Sequence, residues 1–157
     1  IGTIGGTVTI SNSTIANNQA LTDGGGILNE YGTVTISATI LAENGVSNCS
    51  LLNAVITDQG YNLESGTDCG LSGPTDQQNT SPQFQGGLQN NGGPTQTIAL
   101  QPTSPAVNHI PVNTGPGCIP GGTDQRGQPR PDRFLLQLLP ESTCDIGAYE
   151  VQGELLR

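Results

Sequence analysis

The stretch Gly6-Thr-Val-Thr-Ile-Ser11 returns residue for residue as Gly32-Thr-Val-Thr-Ile-Ser37, an offset of 26 residues. The match continues more loosely beyond it: Ile15 falls on Leu41, Ala16 on Ala42 and Asn18 on Asn44. Within each copy the pairs Val8/Ile10 and Val34/Ile36 alternate with Thr and Ser. Alternation at period two with β-branched residues reads as a strand with one buried face. A third, shorter unit follows at Val55-Ile-Thr-Asp-Gln-Gly-Tyr-Asn-Leu63. Short strands repeating at this period, with Asn/Gly corners, predict stacked coils about 4.8 Å apart. Asn17-Asn18 and Asp23-Gly-Gly-Gly26 supply corner residues that tolerate positive φ. The equivalence of Asn18 and Asn44 predicts an inward amide ladder. Thr7, Thr9, Thr33 and Thr35 predict a polar outer face.

Composition agrees with a thin core. The 157 residues are 32% hydrophobic and 11% charged, against about 45–50% apolar and roughly 25% charged in ordinary globules. A coil of this kind turns only alternate side chains inward, so it folds on fewer apolar residues. With 23 Gly, 11 Pro and no Lys, Met or Trp, long helices are excluded. No run approaches the ~20 apolar residues of a transmembrane helix. The balance is acidic, 13 Asp plus Glu against four Arg, net −9. All four cations (Arg126, Arg130, Arg133, Arg157) come late in the chain. Such a surface repels phosphate backbones and anionic lipid, which argues against nucleic acid and membrane partners.

The pattern changes after residue 70. Every proline lies beyond that point, from Pro74 to Pro140, and proline belongs at sheet edges and turns. The expected division is therefore 1–70 as coils and 71–157 as an irregular cap packed on their end. Cys49, Cys69, Cys118 and Cys144 are even in number and lack zinc-type spacing, which predicts two disulfides and an oxidising compartment. Sequential pairing, Cys49 with Cys69 and Cys118 with Cys144, keeps each bridge local. Each would contribute about 3–3.5 kcal/mol in the chain-entropy account. The second bridge would bring Thr123-Asp-Gln-Arg-Gly127 close to Cys144-Asp-Ile-Gly-Ala-Tyr-Glu150, so Arg126 is expected to pair with Asp145 or Glu150.

Gly6–Ser13 followed by Ile15-Ala-Asn-Asn18 and Gly24-Gly-Gly-Ile-Leu-Asn29 resembles right-handed parallel β-helix surface proteins, including the polymorphic outer-membrane type. Leu88-Gln-Asn-Asn-Gly-Gly-Pro-Thr95, Ser104-Pro-Ala-Val-Asn108, Thr123-Asp-Gln-Arg-Gly127 with Pro129-Arg-Pro131, and Cys144-Asp-Ile-Gly-Ala-Tyr-Glu150 resemble, in that order, the C-terminal module of bacterial choice-of-anchor Q β-helix proteins. The turn Asn108-His-Ile-Pro111 departs from that pattern, which tends to carry an acidic residue followed by small ones. The resemblance implies an all-β, right-handed parallel β-helix and export from a bacterium to the cell surface or beyond. It implies no particular activity.

The residues themselves point to no catalytic set. Lyases of this fold need a strong base, and the only candidates here are the late arginines. Hydrolases need paired carboxylates, whereas Asp23, Glu30, Glu43 and Asp58 are scattered at corners. His109 stands alone. Asp23-Gly-Gly-Gly26 and Asp76-Gln-Gln-Asn79 could hold Ca²⁺, but turn chemistry accounts for both. No cofactor is expected. The expected role is structural or adhesive, in an extracellular or fibre-forming protein. A carbohydrate-active enzyme with its groove upstream is the alternative. The apolar Ile1, Ile4, Val8 and Ile10 are expected to be covered by upstream coils or by a neighbouring copy, leaving the sides free for surface glycans.

Overall fold

The computed structural model describes residues 1–132 and 142–153. Among these, all regular secondary structure is β, and no helix is long and apolar enough to cross a membrane. The chain visits three parallel sheets in fixed rotation. Gly2–Ile4 (β1), Thr7–Ser11 (β2) and Thr14–Ala16 (β3) begin the sheets. Ile27–Glu30 (β4), Thr33–Ser37 (β5) and Ile40–Ala42 (β6) repeat the path. Cys49–Leu52 (β7), Val55–Asp58 (β8) and Leu63–Glu64 (β9) complete it. The resulting orders are β1-β4-β7, β2-β5-β8 and β3-β6-β9.

The repeated hexapeptide is a register. Thr7 lies opposite Thr33 and Ser11 opposite Ser37. The third unit continues in phase, with Val34 facing Ile56 and Ile36 facing Asp58. Left-handed residues turn the corners: Gly5, Tyr31 and Asn53 between the first and second sheets, Asn12 and Ala38 between the second and third, and Asn17 and Glu43 after the third. The glycine that opens each hexapeptide answers a close approach. A Cβ at Gly32 would lie 2.6 Å from Asn29 Oδ1 and 2.8 Å from the Gly6 carbonyl oxygen.

Inside the stack, Ile10, Ile27, Val34, Ile36 and Leu41 form an apolar column that also takes in Cys49, Cys69 and Leu71. Burying each large aliphatic side chain contributes about 1.5–3 kcal/mol. Ile40-Leu41-Ala42 is buried on both faces. Leu41 belongs to the column, while Ile40 and Ala42 pack outward against Leu100, Ala106, Ile110, Cys118, Cys144 and Ile146. That outer apolar face decides where the proline-rich half goes. Residues just after 70 lie over the end of the coils, and the contacts of the later ones run along the side of the third sheet and reach the first circuit. Arg130 Nη2 donates to Asn12 Oδ1 (2.9 Å) and the Ala148 N–H to Thr14 Oγ1 (3.1 Å). This flank carries two small antiparallel pairs, Ile110–Pro111 (β10) with Thr143–Cys144 (β13), and Gly122–Thr123 (β11) with Pro129–Arg130 (β12).

A shorter segment closes the column. In the third circuit two inward positions become acidic, Asp58 aligning with Ile36 and Glu64 with Leu41. Glu64 Oε1 accepts the N–H groups of Asp68 and Cys69 (2.9 and 3.1 Å). Asp58 Oδ2 accepts those of Ser72 and Gly73 (3.3 and 3.1 Å). These bonds hold Cys69 and Leu71 over the last apolar residues. The Cys49–Cys69 disulfide (Cα–Cα 4.9 Å) fixes the closure, and Cys118–Cys144 (5.7 Å) fixes the flank.

Gly32→Ala should destabilise the protein by about 1–3 kcal/mol, because the added methyl meets backbone oxygen and a buried amide. Gly2→Ala, where a Cβ meets nothing within 4 Å, should have little effect. Urea unfolding of the two variants checks this.

Candidate functional site

The corner that follows β3 and β6 presents Asn17 and Glu43, one circuit apart and both left-handed (φ 58° and 57°). A row of amides stiffens the stack beneath them. Asn18 Nδ2 donates to Asn44 Oδ1 (2.9 Å), Asn44 Nδ2 to Asn48 Oδ1 (3.1 Å), and Asn48 Nδ2 to Ser65 Oγ (3.2 Å). The expected Asn18–Asn44 bond is present, but only Asn44 points inward; Asn18 is exposed.

A hairpin over residues 84–100 stands opposite, bridged antiparallel at Phe84–Leu100 and Gln89–Thr97. Asn91 Nδ2 donates to the carbonyl and hydroxyl oxygens of Thr97 (2.9 and 3.1 Å). The hairpin tip rests on the turn that carries Arg126: a Cβ at Gly93 (φ +82°) would lie 2.5 Å from Arg126 Cα. Arg126 Nε and Nη2 both donate to Asp124 Oδ2 (2.8 and 2.7 Å). The guanidinium also lies 3.6 Å from the centroid of the Tyr149 ring, a cation–π contact. Between corner and hairpin lies a cleft of about 700 Å³. Among the described residues, Glu43 and Tyr149 are its only ionisable lining groups.

The expected Arg126 pair needs correction. Its carboxylate partner is Asp124, and it reaches Glu150 only through the backbone carbonyl (2.5 Å). The reason is local. Asp124 Oδ1 accepts the N–H groups of Arg126 and Gln128 (2.8 and 3.0 Å), which folds Arg126 back over its own turn. Arg130, between two prolines, takes the role instead. It donates to the carbonyls of Gly147 (2.8 Å) and Asp145 (2.6 Å) and stands 4.0 Å from Glu150 Oε2.

Asp145 and Glu150 are buried beside it. Asp145 accepts the N–H groups of Asn108 and Val151, and Glu150 Oε2 that of Asp145. Burial pushes Glu150 up to about 8, with the neighbouring Asp145 charge adding to the rise. Burial also pushes Asp145 up to about 6. Desolvation lowers Arg130 from its usual value, against the opposing effect of Glu150, Asp145 and Asp124. The 4.0 Å separation from Arg130 is too long for a direct hydrogen bond.

A carboxyl pair escaped the sequence reading. Asp58 and Asp76 lie 18 residues apart in the chain yet share a hydrogen bond, and burial together with Asp58 pushes Asp76 up to about 6. The Asp76 oxygens also accept the N–H groups of Asn62 and Gly73 (2.7 and 2.9 Å). These are protein donors, which fits turn closure better than a calcium shell. Asp23, from the other calcium candidate, is exposed. Cys49, Asp68 and Cys69 bring donor atoms within 4.8 Å of one another, but both sulfurs are committed to the disulfide. The His109 ring contacts the Thr75 carbonyl (3.2 Å) and meets Tyr61 edge-on, a loop histidine held in place. No family model, curated protein or solved structure matches this chain.

The raised carboxyls set a pH dependence. Between their unfolded and folded pKa values the native state holds protons that the unfolded chain has released. Stability is therefore lost as pH rises through those folded values. The melting temperature should fall between about pH 5 and about pH 8, and Glu150→Gln should flatten the upper part of that fall. Calorimetry across this range checks both. Arg130→Ala should cost about 3–5 kcal/mol, since it leaves buried carbonyls and an acidic cluster without their cation, measured by urea unfolding.

Proposed function

We propose that the chain is part of a right-handed parallel β-helix protein of the bacterial choice-of-anchor Q type, exported to the cell surface or the extracellular space, with a structural or adhesive role. The observation that carries this reading is the in-register stack itself. Its core is a narrow column, and its second sheet turns Thr9, Thr35 and Thr57 outward one above another. Such a body extends by adding circuits and offers long polar sides. The two disulfides support an oxidising compartment. The partners are further coils or other copies laid against the first circuit, where Ile1 and Ile4 stand 52% and 77% exposed.

The enzymatic alternative draws less support. Glycoside hydrolysis by paired carboxylates needs two acids about 5–9.5 Å apart across the bond to be cut, and among the described residues Glu43 is the one carboxylate lining the cleft. Bacteria displaying the chain on their surface should gain adhesion to a mucin-coated or cellular surface, or to one another. The purified chain should leave a panel of polysaccharides intact. Release of new reducing ends in proportion to added protein would overturn the structural reading.

A further inference from the structure

We propose that the cleft between the stack corner and the 84–100 hairpin is a binding site for an uncharged oligosaccharide. The inference rests on the adhesive reading above and gives it a ligand class. A volume of about 700 Å³ falls inside the ~300–1,000 Å³ range of small-molecule sites.

The chemistry of the lining selects the ligand. The side chains of Asn17, Glu43 and Gln96 and the Tyr149 hydroxyl line the cleft and, among the described residues, make no hydrogen bond. Gln125 Nε2 is tied to Thr95 Oγ1 and to the Gln96 carbonyl (2.8 and 3.3 Å), which leaves its Oε1 as an acceptor. Amides offer donor and acceptor together, and a carboxylate accepts twice, so the set matches the paired hydroxyls of a sugar. An apolar ligand would leave these groups desolvated without partners. Among the described residues Glu43 is the only charged group in the lining and the neighbouring Arg126 is held by Asp124, so an anionic sugar meets repulsion with no countering cation among them. Tyr149 adds an aromatic surface for the C–H face of a pyranose.

The walls are set before any ligand arrives. Arg126 stacks on Tyr149, Gly93 packs on Arg126, and the Asn18–Asn44–Asn48 ladder fixes the opposite corner. A site already ordered in this way avoids much of the cost of ordering on binding. Glu43 itself stands at φ 57°, a conformation that suits the Asn found one circuit earlier better than Glu. The stack thus holds a carboxylate at the cleft in a backbone state that ordinary corner geometry would give to another residue.

The test is calorimetric titration of the chain with short neutral oligosaccharides (malto-, cello-, chito- and manno-series) beside sulfated and uronic counterparts. At least one neutral series should bind, with the charged counterparts weaker. Asn17→Gly, which keeps the left-handed corner but removes the amide, and Tyr149→Ala should each weaken binding by at least about tenfold. Leu21→Ser, at a fully exposed site outside the cleft, should bind as the parent does. If Tyr149→Ala fails to fold, Asn17→Gly alone decides. Absence of binding by every neutral series, preference for the anionic sugars, or unchanged binding in Asn17→Gly would each overturn the proposal. Adhesion by displaying cells without oligosaccharide binding would discard this site and leave the adhesive reading intact, whereas depolymerisation would discard that reading.

Discussion

The structure depends on keeping Val34 and Ile36 directly above their counterparts in the neighbouring circuits. A strand shifted by one residue would turn its entire apolar face to solvent. Three features enforce the register. Identical hexapeptides lie strand on strand, single left-handed residues turn the corners at equivalent positions, and the Asn18–Asn44 amide bond ties consecutive circuits at a third point. The close approach at Gly32 follows from the same register, since Gly6 of the neighbouring circuit lies against it and its carbonyl oxygen would stand 2.8 Å from an added Cβ.

A column of this kind is open wherever it stops, and this chain closes one end by changing the chemistry of two inward positions. Asp58 and Glu64 replace aliphatic residues and bind the N–H groups of the returning backbone. Glu64 is fully buried, with its Oε1 taking both backbone N–H bonds. Burial raises its pKa, although the N–H bonds from Cys69 and Asp68 work in the opposite direction. The flank uses the same device. Asp124, Asp145 and Glu150 gather backbone N–H groups and hold loops that contain little regular secondary structure. Acidic residues here substitute for the sheet ladder wherever proline and glycine prevent one.

The sequence made the stack legible because strand pairing there is between like segments: Thr7 meets Thr33 and Asn18 meets Asn44. The disulfide pattern was legible for a related reason, since each bridge closes a local excursion. The lateral contacts of the flank were not foreseen, although Ile40-Leu41-Ala42 carries the signal. Three consecutive apolar residues in an otherwise alternating repeat mean that both faces are covered. The ion pairs were harder. Arg126 and Arg130 lie four residues apart in one turn-rich segment, and only the folding of Asp124 back onto Arg126 decides which arginine reaches the Cys144–Glu150 segment. Asp58 and Asp76 meet because the chain folds back at Gly73, a geometry with no periodic trace. The cleft draws its described walls from stretches far apart in the chain, from Thr14 to Tyr149, so no single motif announces it.

The lateral placement of the flank has a mechanical consequence. A bare solenoid is coupled only between neighbours, so circuits can peel from an end one at a time. Here Leu63 of the last circuit and Asn12 and Thr14 of the first are bonded to or packed against the same disulfide-tied body. That body acts as a splint along the stack. A pull that separates the circuits must first shear the splint from the outer face of the third sheet, loading Arg130 and the apolar contacts of Ile40 together. Resistance then arises from many bonds breaking at once rather than in sequence.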